Sequence, residues 1–377
     1  MAAQYLDYFA SAPIDPRVLD VMIDVYRNNF GNADSRTHVW GSAAKSIVER
    51  GRKSISDILS IDKSEIIFTS GATESDNTAI LGLQEYAESS GKKHIITTAI
   101  EHKAVLESIR HMEKHGFNVD YVVPDETGRV TAEAILSLVK PDTLLVSVMH
   151  INNETGIIQP VSEIGESLSK MEVLFHIDAA QSFGKLNSEL RKTKYDMMSI
   201  SGHKIHAPQG IGALILRRKN YKRPPISPLL YGGQQEYSFR PGTTPVALVA
   251  GFAKAAELMN LEYPVLQNQL LAEKRRILKS FEGLSYAING DQRYALPNIL
   301  NVSFSGVDSE SVFTALKDHY AISNGSACTS GSYAPSYVLA AMGLTKARIS
   351  EALRISWWKE PVDMTMLCQY VSDVALI

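Results

Sequence analysis

Cysteine is nearly absent from this chain. Only Cys328 and Cys368 occur among 377 residues, which excludes a disulfide framework and points to a reducing compartment. Neither sign of charge dominates, since 38 Lys and Arg against 41 Asp and Glu give a formal net charge of −3. Such a balance leaves no electrostatic footprint for direct nucleic-acid binding or for an anionic membrane. No stretch approaches the roughly 20 apolar residues that a membrane span needs. The opening Met1-Ala2-Ala3-Gln4-Tyr5-Leu6-Asp7 lacks the basic and apolar regions of a signal peptide. The expectation is a cytoplasmic protein without a membrane or nucleic-acid partner, without a metal site, and without internal repeats.

What is present is an alternation of short apolar runs with helical periodicity. Strand candidates lie at Glu65–Thr69, His94–Thr98, Val119–Val123, Thr143–Met149, Val173–Ile177, Asp196–Ile200 and Ile211–Leu216. Most are separated by helical spacing, the pattern of an α/β fold in which a mostly parallel seven-stranded sheet is covered by helices. Helices are predicted near 16–27, 40–59, 246–261 and 265–281. The later runs Ile299–Phe304 and Ala321–Ser323 suggest a smaller α+β unit. The division expected is a large domain over 14–258 and a small one over 259–377, with an N-terminal arm of residues 1–13 packed on the latter.

Ligands in such sheets bind at the carboxyl ends of the strands, so those ends carry the chemistry. Ser201-Gly202-His203-Lys204 follows an apolar strand. A lone Lys there is usually solvated surface, but one held beside a carbonyl can form a Schiff base. Ser70-Gly71-Ala72-Thr73-Glu74-Ser75 links a strand to a helix start, where free N–H groups and the helix dipole favour a phosphate; the plainer reading is a simple cap. Asp178, after Val173-Leu174-Phe175, is costly at a buried strand end unless paired, and a protonated pyridine nitrogen would pair it. His102 opens a helix on the same rim, placed to stack on a planar ring or move a proton. Gln181 is placed to donate to a phenolic oxygen, and Ser201 and His203 to a phosphate. Together these read as a pyridoxal-phosphate pocket.

Two further signals lie downstream. Cys328 sits among Asn324-Gly325-Ser326-Ala327 and Thr329-Ser330-Gly331-Ser332, small polar neighbours that suit an exposed nucleophilic thiol. Cys368, on an amphipathic run, reads as a small hydrophobe. Arg354 alternates with Leu353 and Ile355, so its fork faces away from the core; it either meets solvent or clamps a carboxylate.

These motifs, with Glu101-His102-Lys103, Asn152-Asn153-Glu154, Asp178-Ala179-Ala180-Gln181 and Arg240-Pro241-Gly242-Thr243, resemble the cysteine desulfurases of the NifS/IscS type, in family order over nearly the whole chain. The Ser-Ala-Cys-Thr-Ser run is similar to the first of the two desulfurase groups. The resemblance implies a homodimeric fold-type I enzyme that uses pyridoxal 5'-phosphate. It implies that Lys204 holds the cofactor covalently, Asp178 and Gln181 meet the ring, and His102 stacks on it. Thr73, its neighbour Ala72, Ser201 and His203 would hold the phosphate, joined by Thr243 of the other subunit. Asn153 and Arg354 would bind the carboxylate of L-cysteine, and Cys328 would take its sulfur as a persulfide and pass it to an acceptor protein.

Departures from the family pattern are Ser11-Ala12 where Thr-Thr is common, Pro241 for serine, Trp357-Trp358-Lys359 after the arginine strand, and a chain that stops at Ile377. The Phe30-Gly31-Asn32-Ala33 loop and the Asn289-Gly290-Asp291-Gln292 segment look more like the DndA-like desulfurases of DNA phosphorothioation than those of iron–sulfur cluster assembly. A selenocysteine lyase or aminotransferase of the same fold, and a non-catalytic sulfur-carrier subunit, are the competing readings.

Overall fold

The computed structural model describes residues 3–324 and 335–375. The described residues form twelve strands: β1 (Gln4–Tyr5), β2 (Ile66–Thr69), β3 (His94–Thr98), β4 (Asn118–Val122), β5 (Thr143–Met149), β6 (Leu174–Asp178), β7 (Met197–Ser201), β8 (Gly212–Leu216), β9 (Tyr286–Ile288), β10 (Ile299–Phe304), β11 (Tyr320–Ala321) and β12 (Ala352–Ser356). Seven build one sheet in the order β2-β8-β7-β6-β5-β3-β4. They are the seven runs that the sequence predicts. Strands β3 to β7 pair in parallel, and β8 is antiparallel to both β2 and β7.

Alternate residues of these strands enter different cores, as a sheet buried on both faces requires. Ile66 and Phe68, Val146 and Val148, and Met198 and Ile200 join one cluster with Val249, Phe252 and Ala256 of the Val246–Ser280 helix. Their neighbours Ile67, Leu145 and Met197 join another with Ala79 and Ile80 of the Ala72–Leu81 helix and Val105, Ile109 and Met112 of the Lys103–Lys114 helix. The helices Pro16–Asn28 and Val39–Leu59 lie where periodicity predicts them, and both pack on helix 246–280.

Sequence and structure differ at that last helix. Two helices are predicted around Pro264, but one continuous 35-residue helix runs through it. An interior proline costs about 3 kcal/mol, yet Met259, Tyr263, Leu270 and Ile277 on either side of it are all buried, and that packing outweighs the break. The helix also crosses residue 258, where the sequence reading sets its domain boundary.

A second sheet, β12-β10-β9, is antiparallel throughout. Its strand β9 has no counterpart in the sequence reading, because three half-buried residues are too few to show alternation. The N-terminal arm is stitched to this region: β1 pairs in parallel with β11, and Asp7 bridges to Ser356 of β12. Beyond that bridge the arm turns toward the carboxyl ends of the large sheet, where Ala12 N–H donates to His203 O at 2.8 Å.

Candidate active site

Strand β2 ends at Thr69, and Gly71 precedes helix 72–81 without any side-chain cap. The first turn of that helix therefore presents its N–H groups to whatever lies in front of it. Below it, Thr69 Oγ1 and Ser75 Oγ share a hydrogen bond of 2.8 Å, and Glu74 accepts from Ser70 N–H at 2.7 Å. Gly212, at the start of β8, comes so close that an added Cβ would lie 2.7 Å from Gly71 Cα. Gly212 thus packs against the back of Gly71, which lines the cavity in front of the helix start.

Lys204 leaves the end of β7 through a tight turn in which Ile205 N–H and Ala207 N–H both donate to Gly202 O, at 2.9 and 3.2 Å. Its Nζ donates to Phe9 O at 2.7 Å and to Ala10 O at 2.8 Å. Phe9 O also accepts from Gln181 Nε2 at 2.9 Å. The arm is therefore a wall of the site, and it fixes two of the predicted residues. Behind the lysine, Lys185 donates to Gln181 O and Lys204 O at 2.9 and 3.3 Å. Burial, aided by the Lys204 charge, pushes the Lys185 amine down to about 7. Burial likewise holds His203 neutral, with its pKa lowered to about 4.

Asp178 ends β6, buried, with Oδ1 accepting from Ala180 N–H at 2.9 Å. Burial raises its pKa, while His102, the Ala180 N–H and Lys204 pull it back. Beneath it lies an enclosed polar layer. His176 joins Ser147 Oγ at 2.9 Å and Ser199 Oγ at 3.0 Å, with Asp76 Oδ1 3.5 Å from its Nε2. Burial, aided by the Asp178 charge, drives the Asp76 carboxyl well up, and burial drives the His176 ring down to about 3, so that ring sits neutral at pH 7. His102 caps the Lys103–Lys114 helix, its Nδ1 accepting from Ala104 N–H at 3.1 Å. That bond places any proton of the neutral ring on Nε2.

Arg354 is opposite Asn301 on β10 and points away from the core that holds Leu353 and Ile355. Its side chain is only 3% exposed, so the solvent-facing reading does not apply. The guanidinium donates to Asn153 O at 3.0 Å and to Asp7 Oδ1 at 2.6 Å. Asn152 shapes the turn that brings Asn153 there: its Oδ1 accepts from Glu154 and Thr155 N–H, each at 2.9 Å.

These groups surround one cavity of about 440 Å³. Ala72, Thr73, His102, Asn153, Asp178, Gln181, Ser201, His203, Lys204 and Arg354 all line it. Thr243 is exposed and does not; the resemblance assigns it to the site of the other subunit. Cys328 lies outside the described residues. Missed by the sequence reading are Phe9, Ala10 and Asp7, whose part depends on where the arm docks and leaves no local signal. A smaller cleft of about 280 Å³ at the far side of the sheet contains Lys194, Arg217 and Lys219, but these are paired with Glu166, Glu65 and Asp196.

The cavity suits a planar heteroaromatic phosphate. Gln181 Oε1, Asn153 Oδ1 and Arg354 Nε are buried without hydrogen-bond partners among the described residues, and each belongs to a cavity-lining side chain. The uncapped helix start supplies donors for an anion, Asp178 an acceptor for a protonated ring nitrogen, and Lys204 an amine. The residues present fit pyridoxal 5'-phosphate.

Comparison with known proteins agrees. Residues 4–360 match the model for aminotransferase class-V. The chain is 44% identical over 356 residues to the cysteine desulfurase IscS of Pseudomonas putida strain W619, covering 94% of this chain and 87% of that one. It is similar to the crystal structure of DndA from Streptomyces lividans, with a TM-score of 0.82 and 45% identity over 91% of this chain and 96% of that chain. A structure of SspA in complex with cysteine matches with a TM-score of 0.83 and 35% identity, covering 96% and 100%.

Proposed function

Because the chain belongs to the class-V aminotransferase family, we infer that it is a cysteine desulfurase dependent on pyridoxal 5'-phosphate, which removes sulfur from L-cysteine and leaves L-alanine. The observation that carries this reading is the convergence of Lys204, Asp178, Arg354 and the uncapped start of helix 72–81 on one cavity. Bound there, the cofactor supplies an electron sink for charge that develops at the substrate's α-carbon.

The chain's own residues do the rest. Ala72, Thr73, Ser201 and His203 hold the phosphate, joined by Thr243 from a second subunit. Asp178 pairs with the ring nitrogen, Gln181 with the phenolic oxygen, and His102 covers the ring. Arg354 and Asn153 orient the substrate carboxylate. Lys204 holds the cofactor at rest and moves the proton at the substrate's α-carbon. The thiolate of Cys328 attacks the substrate sulfur, so that an S–S bond forms as the Cβ–S bond breaks. The electron pair of that bond stays with carbon, which takes up a proton to become alanine. The persulfide on Cys328 then passes its terminal sulfur to an acceptor protein of DNA phosphorothioation or iron–sulfur cluster assembly.

The active unit is a cytoplasmic homodimer, each chain with a large domain over 14–258 and a small one over 259–377 that the helix Val246–Ser280 joins. Among the described residues no helix is long and apolar enough to cross a membrane. In support of the dimer, Phe30 and Tyr231 are exposed on two loops that Gln235 joins through a 2.7 Å bond to Asp34, and Val39 and Trp40, exposed as well, open the helix that follows the first loop. The second of those loops leads to Thr243, which the partner's site requires.

The test is to incubate the holoenzyme with L-cysteine without reductant, quantify alanine, and locate added sulfur by mass spectrometry, alongside Cys328→Ser. Alanine with one added sulfur on Cys328, both lost in the variant, is expected. Alanine or keto acid formed equally well by Cys328→Ser would overturn the persulfide route.

A further inference from the structure

Asp7 stands behind Arg354, not in the cavity. It is absent from the cavity wall, although Phe9 and Ala10 of the same arm belong to it. Its Oδ1 accepts from Arg354 NH2 at 2.6 Å and from Ser323 Oγ at 3.1 Å. The arginine is thus gripped on two sides, by Asp7 on NH2 and by Asn153 O on NH1. Its buried Nε has no hydrogen-bond partner among the described residues. A guanidinium has five N–H donors in a fixed plane, so two bonds set the plane and leave the others for a ligand.

The carboxylate is itself held in place. Leu6 N–H donates to Ala321 O at 3.0 Å and Ser356 N–H to Leu6 O at 2.8 Å, so the residue before Asp7 is tied to two strands. Ser323 in turn is paired with Arg354 through the backbone, Arg354 N–H to Ser323 O at 2.6 Å and Ser323 N–H to Arg354 O at 3.3 Å. Asp7, Ser323 and Arg354 therefore move as one piece. An exposed acid paired with a surface arginine contributes little, but here the arginine is buried and its partner is fixed by sheet pairing.

We propose that Asp7 is a positioning residue that orients Arg354 for the α-carboxylate of the substrate, setting affinity for that carboxylate without touching the reacting atoms. The proposal rests on the reading of Arg354 as the carboxylate clamp. Its hydrogen bond, rather than its charge alone, does the orienting, because the bond fixes a plane whereas charge acts in every direction.

The experiment uses holoenzyme and two probes: L-alanine, which carries the carboxylate, and cysteamine, which has amine and thiol but no carboxylate. Binding is followed by the change in cofactor absorbance, and kcat and KM for L-cysteine are measured separately. Asp7→Ala is expected to weaken L-alanine about tenfold or more and raise KM in step, with cysteamine binding and kcat within about threefold. Asp7→Asn keeps an acceptor oxygen and is expected to stay within about threefold for both probes. Thermal melting verifies that each variant is folded, and if Asp7→Ala is not, Asp7→Ser replaces it with the same expectation. Unchanged alanine binding in Asp7→Ala or Asp7→Ser, or equal loss of both probes, overturns the proposal. Loss in Asp7→Asn as large as in Asp7→Ala overturns it too. Arg354→Ala separates the two readings: if it leaves alanine binding intact the clamp assignment fails, and if it abolishes binding while Asp7→Ala does not, only the role of Asp7 fails.

Discussion

Arg52 and Glu236 form a buried two-bond ion pair, NH2 to Oε1 at 2.6 Å and NH1 to Oε2 at 2.9 Å, that ties the Val39–Leu59 helix to the loop before Thr243. The same carboxylate accepts from Phe68 N–H at 2.8 Å, and the guanidinium lies 4.7 Å from the Phe68 ring centre. Glu236, Tyr237 and Ser238 are all left-handed, with φ of 47, 57 and 69°, a conformation that costs non-glycine residues about 1–2 kcal/mol each. The pair holds that turn. Removing one partner strands a buried charge, so Arg52→Met or Glu236→Gln is expected to cost about 3–5 kcal/mol. Arg52→Met with Glu236→Leu is expected to recover part of the loss in equilibrium chemical denaturation. Single variants as stable as wild type would mean that the turn holds itself.

Glu101 contributes to the stability of the fold a part that falls with rising pH. It is fully buried at the end of β3, with Oε1 accepting from Thr98 Oγ1 at 2.6 Å and Met149 N–H at 2.9 Å. Oε2 has no hydrogen-bond partner among the described residues. Burial raises its pKa from 4.5 to about 8. The folded chain therefore keeps a proton that the unfolded chain releases above 4.5, and the stability that this carboxyl contributes declines between there and about 8. Glu101→Gln removes this term. Denaturation at several pH values is expected to show the variant matching wild type near pH 5 and exceeding it by a few kcal/mol, on the order of the linkage term, near pH 8. Parallel curves for the two proteins would show that Glu101 is ionised in the native state.

Much of this was legible in the chain because the chemistry lies at strand ends. Ile66–Thr69, Met197–Ser201 and their neighbours announce themselves by apolar runs, and the residue after each run lands on the rim by topology. The alternation of Arg354 with Leu353 and Ile355 showed which face it takes, but not whether that face meets solvent or the cavity. What escaped depends on tertiary docking: Phe9 contributes a backbone carbonyl, which no side-chain pattern marks, and Asp7 gains its partner from a strand 347 positions away. Pro264 misled because a local rule was overruled by burial on both sides of it.

His102 does two separable things. Its Nδ1 caps a helix at 3.1 Å, and its ring borders the cavity. Asparagine is among the best N-caps but cannot stack or shuttle a proton. His102→Asn is expected to melt near the wild-type temperature while kcat for L-cysteine falls about 10²-fold or more, within the range of lost acid–base catalysis. His102→Ala should match that loss of rate and add about 1 kcal/mol of lost stability. A His102→Asn enzyme of full kcat would reduce the residue to a cap.

The proposed phosphate site is tested by one methyl group. A Cβ on Gly212 would collide with Ile200 O and lie 2.7 Å from Gly71 Cα; both obstacles are backbone, so the backbone itself has to move. Overpacking of this kind costs about 1–3 kcal/mol. The displaced part is the loop proposed above to hold the phosphate, so Gly212→Ala is expected to weaken pyridoxal 5'-phosphate binding about tenfold or more, by titration of the apoprotein. Gly91 supplies the control. It ends a helix at φ +73° with nothing within 4 Å of an added Cβ, so Gly91→Ala strains the backbone by about 1–2 kcal/mol far from the cavity and should leave cofactor affinity unchanged. Equal affinity in the two variants would mean that the approach of β8 to Gly71 does not shape the phosphate site.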